Sequence, residues 1–497
     1  MPDDKKDILF RPWKKLKSLQ ERNLRLFVTK HLYPFSPYYR RLFDKNKIKP
    51  GDIKSVEDLK RIPFTSKKDL VAVSDEEAAR KNLDFILQPN KELIKKYLPK
   101  SELLKILCVK ILKGDKYLTA CLGKEYRPVF LTATSGTTGQ PISFLYTKYD
   151  LDNLMLYGKR IMEIFKVESG ERAVNVFPYA PHLAFWQTAF AGFSSNLFIL
   201  STGGGKTLGT DGNIRSILKV KPKFLIGVPD YVYHILKTAR DQGHKMPFLN
   251  SIALGASRVP KGFKRKIADI LTSMGARGVS VLGTYGFTEA RAAWAECPTG
   301  IDVSSGYHTY PDKEIFEVID PGTGEVKREG EDGEIVYSAI DCRGSSVFRY
   351  RTGDLVRGGI TYSPCPHCAR TVPRISSDIV RASNVKNLKL SKIKGTLVNL
   401  NNLEHLLDDT EEIDQWQIEI VKRNNDPYEV DQLILHISLS KDVNKEKFTA
   451  KLNQKAVSIS EISFNKVSFV SKSDIRSKIE IESAVKAKKI IDKRPKV

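Results

Sequence analysis

The stretch LTATSGTTGQPIS, residues 131–143, decides the fold most clearly because it describes a loop suited to a phosphate group. Its glycines allow a tight turn that brings backbone N–H groups close to an anion, and its hydroxyl groups add donors. These residues are Thr134, Ser135, Gly136, Thr137, Thr138 and Gly139. No Gly-Lys-Ser/Thr ending leads into a helix, and residues 142–146 alternate like a strand. We therefore predict a hairpin loop that holds a nucleoside triphosphate; a Ser/Thr/Gly turn without a ligand is the alternative.

The bulk composition indicates a globular protein of several units. The chain has 497 residues, a mass of 56.1 kDa and 41% hydrophobic residues, which suggests two to four units at about 150 residues each. It has no secretory apolar region near its start and no apolar run long enough to span a bilayer. Six cysteines are too few for a disulfide framework. We expect a cytoplasmic protein with no membrane partner.

The net charge of +24 makes nucleic acid a partner to consider. The lysines, however, are spread along the chain, and neither a helix-turn-helix signature nor a ribonucleoprotein motif is present. A lysine-rich surface that suits small polyanionic ligands is the favoured interpretation, and nucleic acid is an unlikely partner.

Helical and strand-like patterns alternate through the middle of the chain, which predicts an α/β domain with a largely parallel sheet. The helical segments are residues 148–166, 230–241 and 261–274, and the apolar strands are 173–177, 197–200, 224–228, 252–254 and 279–282. We expect the opening loop and the GTYGFTEA run, residues 283–290, to follow strands and to face one crevice. Residues 72–126 read as a charged, mostly helical insertion of unknown role. Beyond residue 385 the pattern predicts a small β-β-α-β unit.

Three further segments carry side chains that suit nucleotide chemistry. The run from Tyr285 to Glu289 offers a ring to stack on a base and a carboxylate for Mg²⁺. Asp354 follows a glycine turn, where it could accept hydrogen bonds from ribose hydroxyls. Lys486 could reach a phosphate or a carboxylate. Taken alone, each segment has an ordinary interpretation: a turn with an exposed Glu, a surface turn and a basic tail.

In this order and spacing, the four segments resemble the adenylate-forming superfamily, in which a large domain binds ATP and a small C-terminal domain delivers a lysine. The phenylacetate–CoA ligase branch is the most similar, through segments 32–43, 61–70, 146–152, 255–257 and 296–308. The resemblance implies an α/β fold with a large multi-layer N-terminal adenylation domain, residues 1–382, and a small α+β C-terminal lid domain, residues 383–497. It also implies rotation of the lid between two half-reactions.

The resemblance assigns roles to individual residues. Lys486, Glu289 and Thr138 would be catalytic, with Glu289 also holding Mg²⁺. The loop from Thr134 to Gly139 would bind the ATP phosphates. Further ATP contacts would come from Gly255, Ala256, Ser257, Tyr285, Gly286, Thr288, Asp354 and Arg381.

Several positions depart from the family pattern. Arg381-Ala382-Ser383-Asn384 stands where paired acids usually form the hinge, and Ser257 replaces a frequent Glu. Val485 replaces the glycine that commonly precedes the lysine, so Lys488 and Lys489 remain alternatives to Lys486. A degenerate active site is a further alternative.

A Cys-Pro-His-Cys knuckle predicts a structural zinc site, because two thiolates at this spacing can bind one tetrahedral ion. Cys365 and Cys368 would be joined by Cys297 and His308, an arrangement similar to that in some phenylacetate–CoA ligase relatives. His367 is an alternative to His308, and reduced thiols without metal are the alternative to the site itself.

The acid pocket is expected near Tyr179, His182, Trp186 and Trp294, whose rings suit an aromatic or related acid; core packing is the alternative. The leading hypothesis is an acid–thiol ligase that uses ATP, Mg²⁺ and CoA. The alternatives are transfer to a carrier protein, an amine or a cofactor, as in deazaflavin-adenylating relatives, and a non-catalytic nucleotide-binding protein. A homodimer is left open.

Overall fold

The computed structural model describes residues 6–71, 75–134, 141–382, 385–388, 396–425, 429–460, 462–483 and 486–495. Within these ranges the chain has two main hydrophobic cores. One core uses buried side chains between Ile8 and Ile375, and the other uses side chains between Leu400 and Phe464. The α/β fold class with a small C-terminal unit is confirmed, whereas the exact boundary at residue 382 stays a prediction. None of the described helices has the length and hydropathy needed to cross a bilayer.

The N-terminal third is helical and ends in a β-hairpin. Its helices are α1 Trp13–Phe27, α2 Tyr33–Phe35, α3 Pro37–Lys45, α4 Lys67–Leu70, α5 Asp75–Asp84, α6 Lys91–Tyr97 and α7 Lys100–Tyr126. The segment predicted to be mostly helical, residues 72–126, contains α5 to α7, and its status as an insertion stays a prediction. Strands β1 Pro128–Ala133 and β2 Ser143–Thr147 then pair antiparallel, which confirms the predicted hairpin.

Alternating helices and strands build the central sheet. They are α8 Lys148–Ile164, β3 Arg172–Asn175, α9 Leu183–Ser194, β4 Phe198–Ser201, α10 Gly205–Val220, β5 Phe224–Gly227, α11 Pro229–Asp241, β6 Ser251–Leu254, α12 Lys261–Ser273, β7 Ser280–Phe287, β8 Ala292–Ala295 and β9 Tyr307–His308. Thr147 starts α8 with a capping box, in which its side chain and that of Asp150 satisfy each other's backbone N–H groups. The strands were predictable because their apolar runs are buried; all four residues of β5 are buried.

The remaining strands complete this sheet and add a second one. They are β10 Glu314–Ile319, β11 Gly333–Ala339, β12 Tyr350–Val356, β13 Ile360–Thr361, β14 Arg374–Ile375 and β15 Ile379–Arg381. Among the described residues, the large sheet has the order β4-β3-β5-β6-β7-β8-β9-β14-β13, with β3 to β7 parallel as predicted. The second sheet is antiparallel, in the order β10-β11-β12-β15.

The C-terminal unit is built on an antiparallel strand pair. Its elements are β16 Val385–Leu388, β17 Thr396–Asn399, α13 Leu400–Asp409, β18 Ile413–Lys422, β19 Asp431–Leu439, α14 Lys445–Ser460, β20 Lys466–Phe469, α15 Lys472–Lys478 and β21 Ile490–Asp492. The predicted β-β-α-β unit corresponds to β18, β19, α14 and β20. The structure adds β21, which pairs parallel with β18 as an edge strand of the sheet.

Candidate active site

A cavity of about 370 Å³ lies where the parallel strands end and the C-terminal unit docks. The large unit contributes residues after β5 and β6 and the end of β7, while the C-terminal unit contributes α13 and the segment before β21. Seven of the residues proposed from the sequence line this cavity: Ala256, Ser257, Tyr285, Gly286, Asp354, Arg381 and Lys486. The 283–290 run therefore reaches this crevice at the carboxyl ends of the strands, whereas the expectation that the phosphate loop faces the same crevice stays a prediction.

The loop after β6 approaches β7 closely. A Cβ atom added to Gly255 would lie 2.3 Å from the hydroxyl oxygen of Thr284, so only glycine fits without a shift. Ala256 then adopts φ of 67°, the left-handed conformation that L-residues rarely take. A non-glycine residue held in this conformation is a feature of functional loops. Gly255 does not itself line the cavity, whereas Ala256 and Ser257 do.

One expectation about β7 is wrong. The sequence placed residues 283–290 after a strand, but β7 continues through Phe287, with Tyr285 opposite Trp294 and Gly286 opposite Ala293 in the antiparallel pair with β8. Only Thr288 and its successors lie beyond the strand. Two glycines in the run are compatible with a turn, but antiparallel pairing of Thr284–Phe287 with β8 overrides that local preference.

Asp354 is the buried acceptor of the site. The hydroxyl of Tyr285 donates to its Oδ2 at 2.8 Å, and Nε of Arg381 lies 2.9 Å from its Oδ1. Burial raises the pKa of the Asp354 carboxyl group, and the charge of Arg381 opposes that effect. Strand pairing explains the geometry, because Asp354 on β12 stands directly opposite Arg381 on β15. Each carboxylate oxygen retains a second lone pair for a hydroxyl donor.

The three candidate lysines have different environments. Lys488 pairs with Glu480 at 2.6 Å. Lys489 lies 3.0 Å from Asp230 and 3.3 Å from Asp408, with its ammonium group over the ring of Trp416. Both are therefore engaged in ion pairs.

All three lysines line the cavity, but Lys486 differs because it forms no ion pair within the described ranges. Desolvation and the charge of Arg381 lower the pKa of its ammonium group, Asp354 and Glu289 oppose them, and the resulting pKa is about 8. A lysine with this pKa remains largely protonated at neutral pH. Of the three, Lys486 is therefore best placed to contact a ligand.

Glu289 lies within the electrostatic reach of Lys486. The hydroxyl of Tyr350 donates to its Oε1 at 3.1 Å, and Glu289 is only half-buried. Its other oxygen is available for a cation, and carboxylate oxygen is a ligand that Mg²⁺ prefers. Thr288 is half-buried beside it.

Thr134 closes the neck of the β1–β2 hairpin. Its N–H donates to the carbonyl of Ile142, and its hydroxyl oxygen accepts the N–H of Ile142 at 3.0 Å. The remaining members of the predicted phosphate loop, Ser135, Gly136, Thr137, Thr138 and Gly139, lie outside the described residues, as do Ser383, Asn384 and Val485.

Most of the proposed acid-pocket residues form an aromatic cluster beside this hairpin. His182 Nδ1 lies 3.0 Å from the carbonyl oxygen of Ala133, so the segment before α9 contacts the strand that precedes the phosphate loop. Trp186 is half-buried and lies 5.2 Å from Phe130 and 6.0 Å from Tyr179, measured between ring centroids. Tyr179 is 65% exposed, so its ring is free to contact a ligand.

The expectation that Trp294 lines the acid pocket is wrong. Its side chain has no exposed surface, and its indole N–H donates to Glu314 at 2.5 Å. Burial raises the pKa of Glu314 to about 8. Trp294 packs within 6 Å of four other rings, those of Tyr285, Phe287, Phe316 and Tyr337. It therefore belongs to the core of the protein, and in this conformation it does not contact an acid.

The four predicted zinc ligands lie together. The ligand atoms of Cys297, His308, Cys365 and Cys368 are all within 4.8 Å of one another. Cys297 and Cys365 have their sulfurs 3.8 Å apart, the edge expected of a tetrahedron with Zn–S bonds of about 2.3 Å. His308 Nε2 is 3.3 Å from the sulfur of Cys368, while its Nδ1 lies 3.1 Å from a backbone carbonyl that can fix the ring. The donor set therefore fits a structural zinc ion.

His367, the sequence-based alternative, is exposed and is not part of this cluster.

Several cavity residues were not predicted. Glu404, Asp408 and Trp416 come from the C-terminal unit, and Arg258 and Tyr307 come from the large unit. Tyr307 stacks on Tyr285 with ring centroids 5.9 Å apart. No local pattern marks these positions, because docking of the two units brings them to the cavity.

Comparisons with known proteins agree with this geometry. The family model described as AMP-binding enzyme matches residues 53–349. A phenylacetate-coenzyme A ligase of Aromatoleum evansii is 24% identical over 490 residues, covering 97% of this chain and 95% of that protein. One from Thermus thermophilus is 26% identical, covering 75% and 72%.

The fold is shared with 2-hydroxyisobutyryl-CoA ligase, crystallised in the postadenylation state with 2-HIB-AMP. The TM-score is 0.74 at 20% identity, with 99% of this chain and 94% of that chain covered. The chain therefore belongs to the AMP-binding enzyme family, and it is an adenylate-forming enzyme of the phenylacetate–CoA ligase-like branch.

Proposed function

We propose that this enzyme activates an aromatic or related carboxylic acid with ATP and transfers the acyl group to CoA. The observation that carries the proposal is the convergence of Lys486, Asp354 and Arg381 on one cavity between the two units. The relatives named phenylacetate-coenzyme A ligase and the aromatic cluster around Trp186 support an aromatic acid.

In the first half-reaction, a carboxylate oxygen of the acid bonds to the α-phosphorus of ATP, and the bond to the departing pyrophosphate breaks. Two anions approach each other, so positive charge and positioning provide most of the catalysis. Lys486 would stabilise the charge that develops during this step. Asp354 would hold the ribose hydroxyls, with Arg381 fixing the carboxylate. Tyr285, Gly286, Ala256 and Ser257 would surround the adenine.

In the second half-reaction, the thiol sulfur of CoA attacks the acyl carbon, AMP leaves, and the thiol proton passes to solvent. The proposed lid rotation would withdraw Lys486 between the two steps. The loop from Thr134 to Gly139, including Thr138, would bind the phosphates. Glu289 would hold Mg²⁺, which neutralises phosphate charge when it is bound.

We also propose that Cys297, His308, Cys365 and Cys368 bind a structural zinc ion. Four protein ligands leave no open position for water, so such an ion would stabilise the fold and take no part in catalysis.

A screen of carboxylic acids by pyrophosphate release, with and without CoA, tests the function. We expect acid-dependent pyrophosphate release and, with CoA present, an acyl-CoA product. Acid-dependent release without that product would instead favour transfer to a carrier protein, an amine or a cofactor. Lys486→Ala should lose most of the activity, and Lys488→Ala is the matched control on the same segment. If both variants keep full activity, the proposed role of Lys486 is wrong.

A further inference from the structure

The outer face of α7 is an apolar stripe that nothing in the described protein covers. Leu104, Leu107, Ile111 and Leu112 are 62%, 50%, 73% and 81% exposed, and the exposed Cys108 lies among them. Their spacing of i, i+3, i+4, i+7 and i+8 places them on one side of a helix. A contiguous run of strongly exposed large side chains marks an interaction surface, whereas single exposed side chains are ordinary.

The opposite side of the same helix anchors it to the protein. Leu103, Ile106 and Leu122 are partly buried against the main core, and Lys30 pairs with Glu102 at 2.8 Å. The fold therefore holds α7 in place and leaves its apolar stripe facing outward.

The helix that carries this stripe is rich in lysine. The helix from residue 100 to residue 126 contains six lysines and three acidic residues. The acids are already engaged: Glu102 with Lys30 and Lys105, Asp115 with Lys91 and Lys110, and Glu125 with Arg343. Within the described ranges, Lys100, Lys113, Lys116 and Lys124 form no ion pair.

A basic groove continues from the second half of α7 onto the β1–β2 hairpin. Gly114, with φ of 82°, kinks the helix between the stripe and the groove. Lys116, Lys124, Arg127 and Lys148 line the groove, with Asp115 as its acidic member. The exposed Val129 lies among them.

We propose that α7 docks on an anionic lipid surface. The apolar stripe would enter the boundary between headgroups and acyl chains, and the free lysines would contact lipid phosphates, since their long stems let the charged ends extend toward the headgroups. Charge complementarity selects this occupant, because α7 is lysine-rich, a basic groove follows the stripe, and the chain carries a net charge of +24. The proposal replaces the expectation of no membrane partner: α7 would lie on a membrane without crossing it.

Cosedimentation of the full chain with vesicles tests this inference. We expect binding to vesicles containing phosphatidylglycerol, much weaker binding to pure phosphatidylcholine, and a loss of binding at high salt. The double variant Ile111→Asp/Leu112→Asp should weaken binding by about tenfold or more, since it removes two inserting side chains. Lys113→Gln/Lys116→Gln should weaken it by about thirtyfold, at about 1 kcal/mol per lysine.

The matched control is Val457→Asp, which changes a 48% exposed apolar residue on α14 and should bind like the unchanged protein. Circular dichroism and acid-dependent pyrophosphate release should be unchanged in all variants. Equal binding to anionic and neutral vesicles, or full binding by the Ile111/Leu112 variant, would overturn the proposal. So would a concentration-dependent dimer that this variant abolishes, because the stripe would then be a protein–protein interface.

Discussion

Asp230→Asn should slow acyl-adenylate formation selectively, because it removes a charge that holds the C-terminal unit against the large unit. Asp230 begins α11 in the large unit, and Lys489 lies 3.0 Å away, three residues beyond Lys486. The asparagine side chain has the same shape, so packing at the site should change little.

The magnitude follows from the separation and burial of the two charges. Unit charges 3.0 Å apart attract by about 5 kcal/mol at an effective dielectric constant of about 20. Desolvation offsets more than half of this attraction, because the two side chains are only 16% and 8% exposed. A net loss of about 2 kcal/mol corresponds to about a thirtyfold lower population of the docked orientation.

The assay compares the two half-reactions. Pyrophosphate release should slow by up to about thirtyfold, whereas thioester formation from preformed acyl-adenylate should change less than threefold. Asp408→Asn is the control, because it removes a carboxylate from the same lysine within the C-terminal unit and should not alter the ratio of the two rates. Equal slowing of both half-reactions by Asp230→Asn, with Asp408→Asn giving the same result, would refute the reasoning.

Three other predictions concern the cavity, the metal cluster and the aromatic residues. The pKa of Lys486 is about 8, so its ammonium group loses its charge as the pH rises through 8. Pyrophosphate release should therefore fall about tenfold by pH 9. Lys486→Arg should flatten this pH profile, measured from initial rates. Metal analysis should find about one zinc per chain, lost in Cys365→Ser and retained in His367→Ala; metal-free unchanged protein would contradict the site. Trp294→Phe should lower the free energy of unfolding by about 1–3 kcal/mol without changing the KM for the acid, because the buried Glu314 carboxyl group loses one of its two donors and keeps only the N–H of Tyr310. Trp186→Ala should raise that KM severalfold, and urea titration with steady-state kinetics separates the two effects.

The parallel strands were predictable because their burial appears directly in the sequence. Residues 224–228 and 252–254 are short apolar runs, and a strand covered on both faces needs such a run. The hairpin around the phosphate loop was also predictable, from the alternation that follows it.

Features that depend on contacts between segments far apart in the sequence were not predictable. Trp294 looks like a ligand-facing ring in sequence, yet it is a core side chain because the second sheet brings Phe316 and Tyr337 against it. Likewise, the choice among three closely spaced lysines required their partners. Glu480 lies in the same unit as Lys488, whereas Asp230 is more than 250 positions from Lys489.

The pairing of β21 with β18 determines how far Lys486 extends into the cavity. Ile490 stands opposite Ile418, only four positions after the lysine, and Gln417 holds the carbonyl of Lys488 at 2.8 Å. A residue inserted between Lys486 and Ile490 would shift the lysine by about 3.3 Å or force a bulge. In the proposed mechanism the length of this short segment therefore matters together with the identity of the lysine, and a peptide tag placed there would displace Lys486 without contacting a substrate.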